Sequence, residues 1–453
     1  MTGHATWSTR LSFLLAAVGA AVGLGNIWKF PYMTGTNGGA AFVTVYLICV
    51  VAIAIPILIG ELMLGRSGRA SPPAAMRQVA LASGRSPRWG LVGWLGAGAG
   101  FLIVSFYSVI AGWAMHYAVA TPLGRLDGLD AAGAEALFDG LLAAPGLLTF
   151  WHTLFMALTV LIVARGLNRG IESAVRVLMP ALFAMLLLMV LYAAAAGDFA
   201  GAWSFLFRFE FAAVDGGVVL DAIGQAFFSI GVSMGLMMMY GAYLPAREPI
   251  PRYSVFIALA DTLVALLAGL AIFPLVFAHG LDPAEGPGLI FVTLPIAFGN
   301  MPFGAVFGGL FFLLLVFAAI TSAIALLQPT VARVQELPGM HPTGAAVLVG
   351  AAAWGIGLLS VLSFNHWADV RPLGLLPGFE ARTLYDVIDY LTANVMMPLG
   401  GMLIALFVGW RVSRRVLDAE FPDMSPPAFI LWRFSARVIA PLGILLVFVA
   451  NLA

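Results

Sequence analysis

Apolar runs of eighteen or more residues recur from the N-terminus to the end of this 453-residue chain, and each is long enough to span the hydrocarbon of a bilayer. Apolar residues make up 62% and charged residues 10%, with a mean hydropathy of +1.00. A soluble domain needs far more charge on its surface. The formal net charge is zero, so nothing points to a nucleic-acid partner. Cys49 is the single cysteine, which excludes an intramolecular disulfide and leaves it reading as a small buried hydrophobe. Met1–Arg10 is polar, and the first apolar run continues past the length of a signal-peptide core. These features define an all-α integral membrane protein with one transmembrane domain covering 1–453.

The pattern predicts eleven spans: 11–34, 40–64, 89–120, 147–164, 173–197, 217–243, 252–279, 303–334, 343–363, 384–410 and 430–452. With the N-terminus in the cytoplasm, the inner segments hold seventeen of the twenty-two basic residues, from Arg10 through Arg66, Arg69, Arg77, Arg85 and Arg88 to Arg433 and Arg437. Lys29, Arg125, Arg208, Arg371 and Arg382 remain outside. This asymmetry follows the positive-inside rule, and an odd number of spans then places the C-terminus outside. The outer segment 121–146 is expected to carry short surface helices. In 281–302, with Pro283, Pro287, Pro295 and Pro302, the apolar stretch Leu289–Phe298 is too short to span and reads as a re-entrant or capping element.

Two spans carry clustered glycines at their middles: Gly19, Gly23 and Gly25 in the first, Gly231 and Gly235 in the sixth. Each glycine weakens a helix by roughly 1 kcal/mol relative to alanine. Glycines so spaced also serve close helix packing, and either segment alone is open to that reading. Their positions, five spans apart, are those expected of inverted repeats at about 11–197 and 217–410, and paired interrupted helices point to a midplane site. Span eight adds Thr321, Ser322 and Gln328, although paired hydroxyls often bond back to their own helix. Asp261 lies well inside span seven and Glu61 near the cytoplasmic end of span two. Intramembrane carboxylates are costly and usually functional, with Glu61 the more interfacial of the two.

Trp7-Ser8-Thr9-Arg10, Gly23-Leu24-Gly25-Asn26-Ile27-Trp28-Lys29-Phe30-Pro31-Tyr32, Asn37-Gly38-Gly39-Ala40-Ala41-Phe42, Pro56, Gly60-Glu61, Gln225-Ala226-Phe227-Phe228-Ser229, Asp261 through Gly269 and Thr321-Ser322-Ala323-Ile324-Ala325 closely resemble the signature of neurotransmitter:sodium symporters, over nearly the whole chain. The resemblance is to bacterial members that carry hydrophobic amino acids. It implies the LeuT fold, with five-plus-five inverted repeats, an eleventh helix and discontinuous helices 1 and 6, and two sodium ions. The first sodium would take the Ala21 carbonyl, Asn26, Ser229 and Asp261. The second would take carbonyls of Gly19, Val22 and Ala318 with the hydroxyls of Thr321 and Ser322, an all-oxygen set suited to a hard cation. Asp261 would also supply the charge that chloride gives animal members, so chloride is not expected.

Gly23 stands where amine-transporting relatives place Asp, which implies a substrate with its own carboxylate. That carboxylate would meet the first sodium, the Leu24 and Gly25 N–H groups and the Tyr107 hydroxyl. The ammonium would face carbonyls of Ala21, Phe228 and Ser229. Ile103, Tyr107, Phe228, Gly231, Met234, Ser322 and Leu326 would line the side-chain pocket, favouring a neutral, hydrophobic L-amino acid; Gly231-Val232-Ser233 departs from the family's usual Ser-x-Gly. Tyr107 and Phe228 would form an outer lid, with Lys29 and Asp389 as an outer charge pair. Trp7, Tyr243, Gln328 and Glu336 match an inner latch, with His4 at its basic position. Taurine or a β-amino acid is the alternative substrate, and a sodium-dependent sensor with little flux is the alternative function. Six scattered histidines without ligand spacing argue against an enzyme. The implied setting is a bacterial inner membrane, and no protein partner is expected.

Overall fold

The computed structural model describes residues 6–209, 214–246, 248–284 and 288–452. His4, Arg247 and Pro287, which enter the sequence reading, lie outside them. Among the described residues nine helices are long and apolar enough to cross a membrane, and the pair Arg10–Ala21 and Gly25–Thr36, bent by 50°, makes one more. The sixth predicted span is split into Gly216–Ile230 and Leu236–Ala242. The order along the chain is then the broken span 1, span 2 (Ala40–Gly68), span 3 (Pro87–Ala120), span 4 (Pro145–Ala164) and span 5 (Leu167–Ala196). After the broken span 6 come span 7 (Ile250–Ala278), span 8 (Gly304–Gln335), span 9 (Pro342–Ser363), span 10 (Leu384–Arg411) and span 11 (Pro426–Ala450).

Spans 3 and 8 are the most buried, while spans 4, 5 and 11 show most of their surface outward. Lipid gives helices no hydrophobic reason to associate, so close approach of small residues does the packing. Span 3 reads Gly96-Ala97-Gly98-Ala99-Gly100 where it meets the interruption of span 6. A methyl group on Gly100 would stand 3.1 Å from both the Leu326 and Met234 carbonyls, a tight fit between two backbones.

The two breaks have local causes. Helix Arg10–Ala21 starts with Thr9 accepting from the Ser12 N–H at 3.1 Å and stops where Val22 turns extended. In span 6 the backbone enters the left-handed region three times in five residues, at Gly231 (φ 70°), Ser233 (φ 75°) and Gly235 (φ 75°). Glycine adopts that conformation freely, whereas a serine is disfavoured there by roughly 1 kcal/mol. The Glu61 carboxylate holds the strained residue by accepting the Ser233 N–H at 2.5 Å.

Segment 121–146 does carry a helix, Ala131–Leu142. The apolar helix Leu289–Gly299 does not span; it is buried against span 3, where Tyr117 donates to the Phe291 carbonyl at 3.0 Å and Phe291 meets Trp113 edge-on. Span 5 starts at Leu167 rather than 173 and span 11 at Pro426 rather than 430. The added turns carry Asn168, Arg169 and Glu172, or two prolines, which a hydropathy pattern reads as loop.

Candidate functional site

The two interruptions face each other across a small cavity of about 30 Å³. Ala21, Gly23, Leu24 and Gly25 of span 1, Ile103 and Tyr107 of span 3, Phe228, Gly231 and Met234 of span 6, and Ser322 and Leu326 of span 8 all line it. Each was expected there from sequence. Ala20 and Leu236 join them, while Ser229 points away into a polar cluster. A methyl group on Gly23 would come within 2.5 Å of Ser322 Oγ and 3.0 Å of Tyr107 Oη, and one on Gly25 within 3.0 Å of the Phe228 ring. A side chain at Gly23 would displace the Ser322 hydroxyl, and one at Gly25 would press on the Phe228 ring.

The Leu24 N–H donates to Tyr107 Oη at 3.2 Å rather than standing free. Tyr107 is the acceptor in that bond, and the Ser322 hydroxyl is a second hydrogen-bonding neighbour of its oxygen. The Phe228 carbonyl accepts the Gly231 N–H at 3.2 Å, with a second lone pair remaining. Above the cavity lies a vestibule of about 430 Å³. Leu24, Tyr107 and Phe228 line both spaces, which makes them the partition between the two.

Asn26, Ser229 and Asp261 meet in a fully buried cluster. Asn26 Nδ2 donates to Asp261 Oδ1 at 2.7 Å, to Ser229 Oγ at 3.0 Å and to the Asp261 carbonyl at 3.1 Å. Ser229 Oγ donates to Asp261 Oδ2 at 2.5 Å, and the Tyr46 hydroxyl lies 3.2 Å from Ser229 Oγ. Asn26 Oδ1 accepts the Gly23 N–H at 3.1 Å. Next to this group Gln225 donates to the Gly25 carbonyl at 2.9 Å, and its buried Oε1 has no partner. A carboxylate with surplus amide and hydroxyl oxygens in a dry site suits a hard cation. Tyr46 was not singled out from sequence; a tyrosine in the middle of an apolar span was the available signal.

A second group of oxygens joins spans 1 and 8. Ser322 Oγ lies 3.1 Å from the Val22 carbonyl and 3.4 Å from those of Gly19 and Ala20. Thr321 Oγ1 lies 3.0 Å from the Ala318 carbonyl and 3.2 Å from that of Phe317. Five carbonyls thus converge on two hydroxyls, each with one proton. Such an all-oxygen set of carbonyls and hydroxyls is of the kind a hard cation takes. The helix-internal reading holds for Thr321 only, since Ser322 reaches across to span 1.

The residues expected to form an outer charge pair and an inner latch have the following partners. Lys29 and Asp389 both line the vestibule, but they are not among the ion pairs of the described residues. The Lys29 ammonium instead lies 4.4 Å over the Phe228 ring, because desolvated ammonium and aromatic face attract. At the inner end Trp7 donates through Nε1 to the Tyr240 carbonyl at 3.2 Å and through its N–H to the Tyr243 carbonyl at 3.3 Å. Gln328 Nε2 donates to Tyr243 Oη at 2.9 Å. Glu336 accepts from the Ser71 N–H at 2.7 Å and its hydroxyl at 2.8 Å, and pairs with Arg333 at 3.0 Å. Its sequence-expected base, His4, lies outside the described residues. Glu61 is fully buried rather than interfacial, and its work is to hold the span 6 interruption.

Paired broken helices around an oxygen-rich centre, within a bundle of apolar spans, define a secondary transporter. A profile of the Sodium:neurotransmitter symporter family matches residues 4–126 and 136–453. An uncharacterized sodium-dependent transporter of Bacillus subtilis, YhdH, is 38% identical over 445 residues, covering 98% of this chain and 96% of that protein. An uncharacterized sodium-dependent transporter of Haemophilus influenzae is 30% identical, with 99% and 98% covered. The crystal structure of MhsT in complex with L-phenylalanine superposes with a TM-score of 0.89 at 41% identity, covering 99% of this chain and 100% of that one. The chain belongs to the sodium:neurotransmitter symporter family. It has the LeuT fold and is a multi-pass transporter rather than an enzyme.

Proposed function

We propose that the protein takes up a neutral, hydrophobic L-amino acid, coupled to sodium, by alternating access. The observation that carries this reading is the Tyr107 hydroxyl, which accepts from Leu24 and lines, with Ser322, a cavity walled by Ile103, Met234 and Leu326. A substrate carboxylate fits beside Gly23 and Gly25, held by Tyr107 and the first sodium. The ammonium has the remaining lone pairs of the Ala21, Phe228 and Ser229 carbonyls. The apolar wall, with an adaptable methionine, suits an apolar side chain, and the L-phenylalanine bound by MhsT agrees with that chemistry.

The first sodium takes Asn26, Ser229, Asp261 and the Ala21 carbonyl. It completes the carboxylate cradle, so ion and substrate raise each other's affinity by the same factor. The second sodium takes Gly19, Val22, Ala318, Thr321 and Ser322 and ties span 1 to span 8. Its release inward frees the first half of span 1 to swing from the Trp7–Tyr243–Gln328 latch. The Asp261 carboxylate makes chloride unnecessary. The setting is a bacterial inner membrane, with the N-terminus in the cytoplasm and the C-terminus outside.

The test measures thermal stabilisation of the purified protein by the twenty L-amino acids and taurine, in sodium and in potassium, followed by uptake into proteoliposomes. A hydrophobic amino acid that stabilises only in sodium and is then accumulated supports the reading. Stabilisation by taurine alone names the other substrate class. Binding without accumulation identifies a sensor, and equal stabilisation in both salts overturns the sodium assignment.

A further inference from the structure

At the inner end of spans 3 and 8, away from the transport path, lies a cavity of about 590 Å³. It is formed where the short helix Pro72–Ala82 meets the start of span 3 and the end of span 8. Three guanidinium groups line it, from Arg77, Arg88 and Arg333, and no carboxylate does. Arg77 and Arg88 are exposed and belong to none of the ion pairs among the described residues. Arg333 is half-buried, pairs with Glu336 at 3.0 Å and lies 5.4 Å from the centre of the Trp94 ring. The apolar side chains that share the cavity face outward: Leu81 is 53% exposed, Leu91 67% and Trp94 49%.

Guanidinium groups recognise phosphate oxygens through two parallel hydrogen bonds. With Arg333 balanced by Glu336, Arg77 and Arg88 leave the cavity a net positive anion site. The apolar flank decides the kind of anion. A free phosphate ion leaves Leu81, Leu91 and Trp94 uncovered, whereas an anionic phospholipid places its phosphate among the arginines and lays its acyl chains over those three side chains. Tryptophan at a headgroup boundary fits the same placement, and basic pockets between helices on the cytoplasmic side bind such headgroups. We infer that this cavity is a specific site for an anionic phospholipid of the inner leaflet, bridging spans 3 and 8. The inference uses the proposed orientation only to name the leaflet and is independent of the substrate assignment. Spans 3 and 8 carry Tyr107 and Ser322, so a lipid clamped across their inner ends steadies the frame on which the substrate cavity is built.

Native mass spectrometry of the full chain, with phosphatidylglycerol and with phosphatidylcholine, tests the site. The expected result is retention of one phosphatidylglycerol over phosphatidylcholine by at least fivefold. In R77Q/R88Q that preference falls at least fivefold, while R77K/R88K keeps most of it. R169Q, which removes an exposed charge from the same end of the bundle, is the control and leaves it unchanged. Melting in sodium with and without substrate shows that each variant is folded. Equal losses in R77Q/R88Q and R169Q, or no loss in either, overturn the site. Inorganic phosphate displacing the lipid at millimolar concentration overturns the lipid in favour of a free anion.

Discussion

Asn26 donates its side-chain amide to Asp261 Oδ1 at 2.7 Å, joining the interruption of span 1 to the middle of span 7 across 235 residues of sequence. Ser229 donates to the other carboxylate oxygen, so Asp261 holds both broken helices at once. Replacing Asp261 by Ala removes the formal negative charge from the proposed first sodium site. Ligand charge sets the affinity of such sites. The sodium concentration for half-maximal stabilisation is expected to rise at least tenfold, about 1.4 kcal/mol. A sodium titration of D261A that superposes on the parent's removes Asp261 from the site.

Tyr107→Phe deletes the hydroxyl that accepts from Leu24 and faces the cavity. An unmade bond to a charged group costs about 1.5–3 kcal/mol, so substrate affinity should drop by one to two orders of magnitude. Sodium-dependent stabilisation without substrate should be nearly unchanged. Calorimetric titration with the substrate found by thermal screening checks the first statement, and a melt in sodium checks the second.

Ser322→Ala leaves the carbonyls of Gly19, Ala20 and Val22 without the hydroxyl they share. The expected result is a lower melting temperature in potassium and a weaker response to sodium, by at least threefold in half-maximal concentration. A response equal to the parent's places the second ion elsewhere.

Tyr243→Phe removes the acceptor of the Gln328 amide at 2.9 Å while keeping the ring against Trp7. A lost hydrogen bond of this kind is worth about 1 kcal/mol, enough to raise a minor inward-open population about fivefold. The readout is labelling of a cysteine placed at Ala20, in a background with Cys49 replaced. Faster labelling from the inner side supports the latch, and an unchanged rate sets it aside.

Glu61→Ala takes away the carboxylate that accepts the Ser233 N–H. A left-handed serine then stands without its support, and a destabilisation of about 2 kcal/mol is expected. S233G relieves the backbone strain without touching the carboxylate, so E61A/S233G should recover part of that loss in thermal melts. No recovery would separate Glu61 from the conformation of Ser233.

The sequence by itself determined the spans, the two breaks and most residues of the central cavity. Those are local properties: an apolar run of sufficient length must be helical in lipid, and Gly23, Gly25, Gly231 and Gly235 weaken a helix wherever they stand. The motif from Gly23 to Tyr32 carried the family because many consecutive positions match at once. Tertiary structure decided which polar groups share an atom. Tyr46 reaches Ser229, Glu61 reaches Ser233, Glu336 turns to Ser71 and Arg333, and Lys29 lies over Phe228 in the vestibule it shares with Asp389. A side chain's partner depends on helix tilt, rotation and rotamer, and a change of a few ångströms in any of these exchanges one acceptor for another. The chain sequence contains the donors and acceptors, and only the packing of eleven spans selects among them.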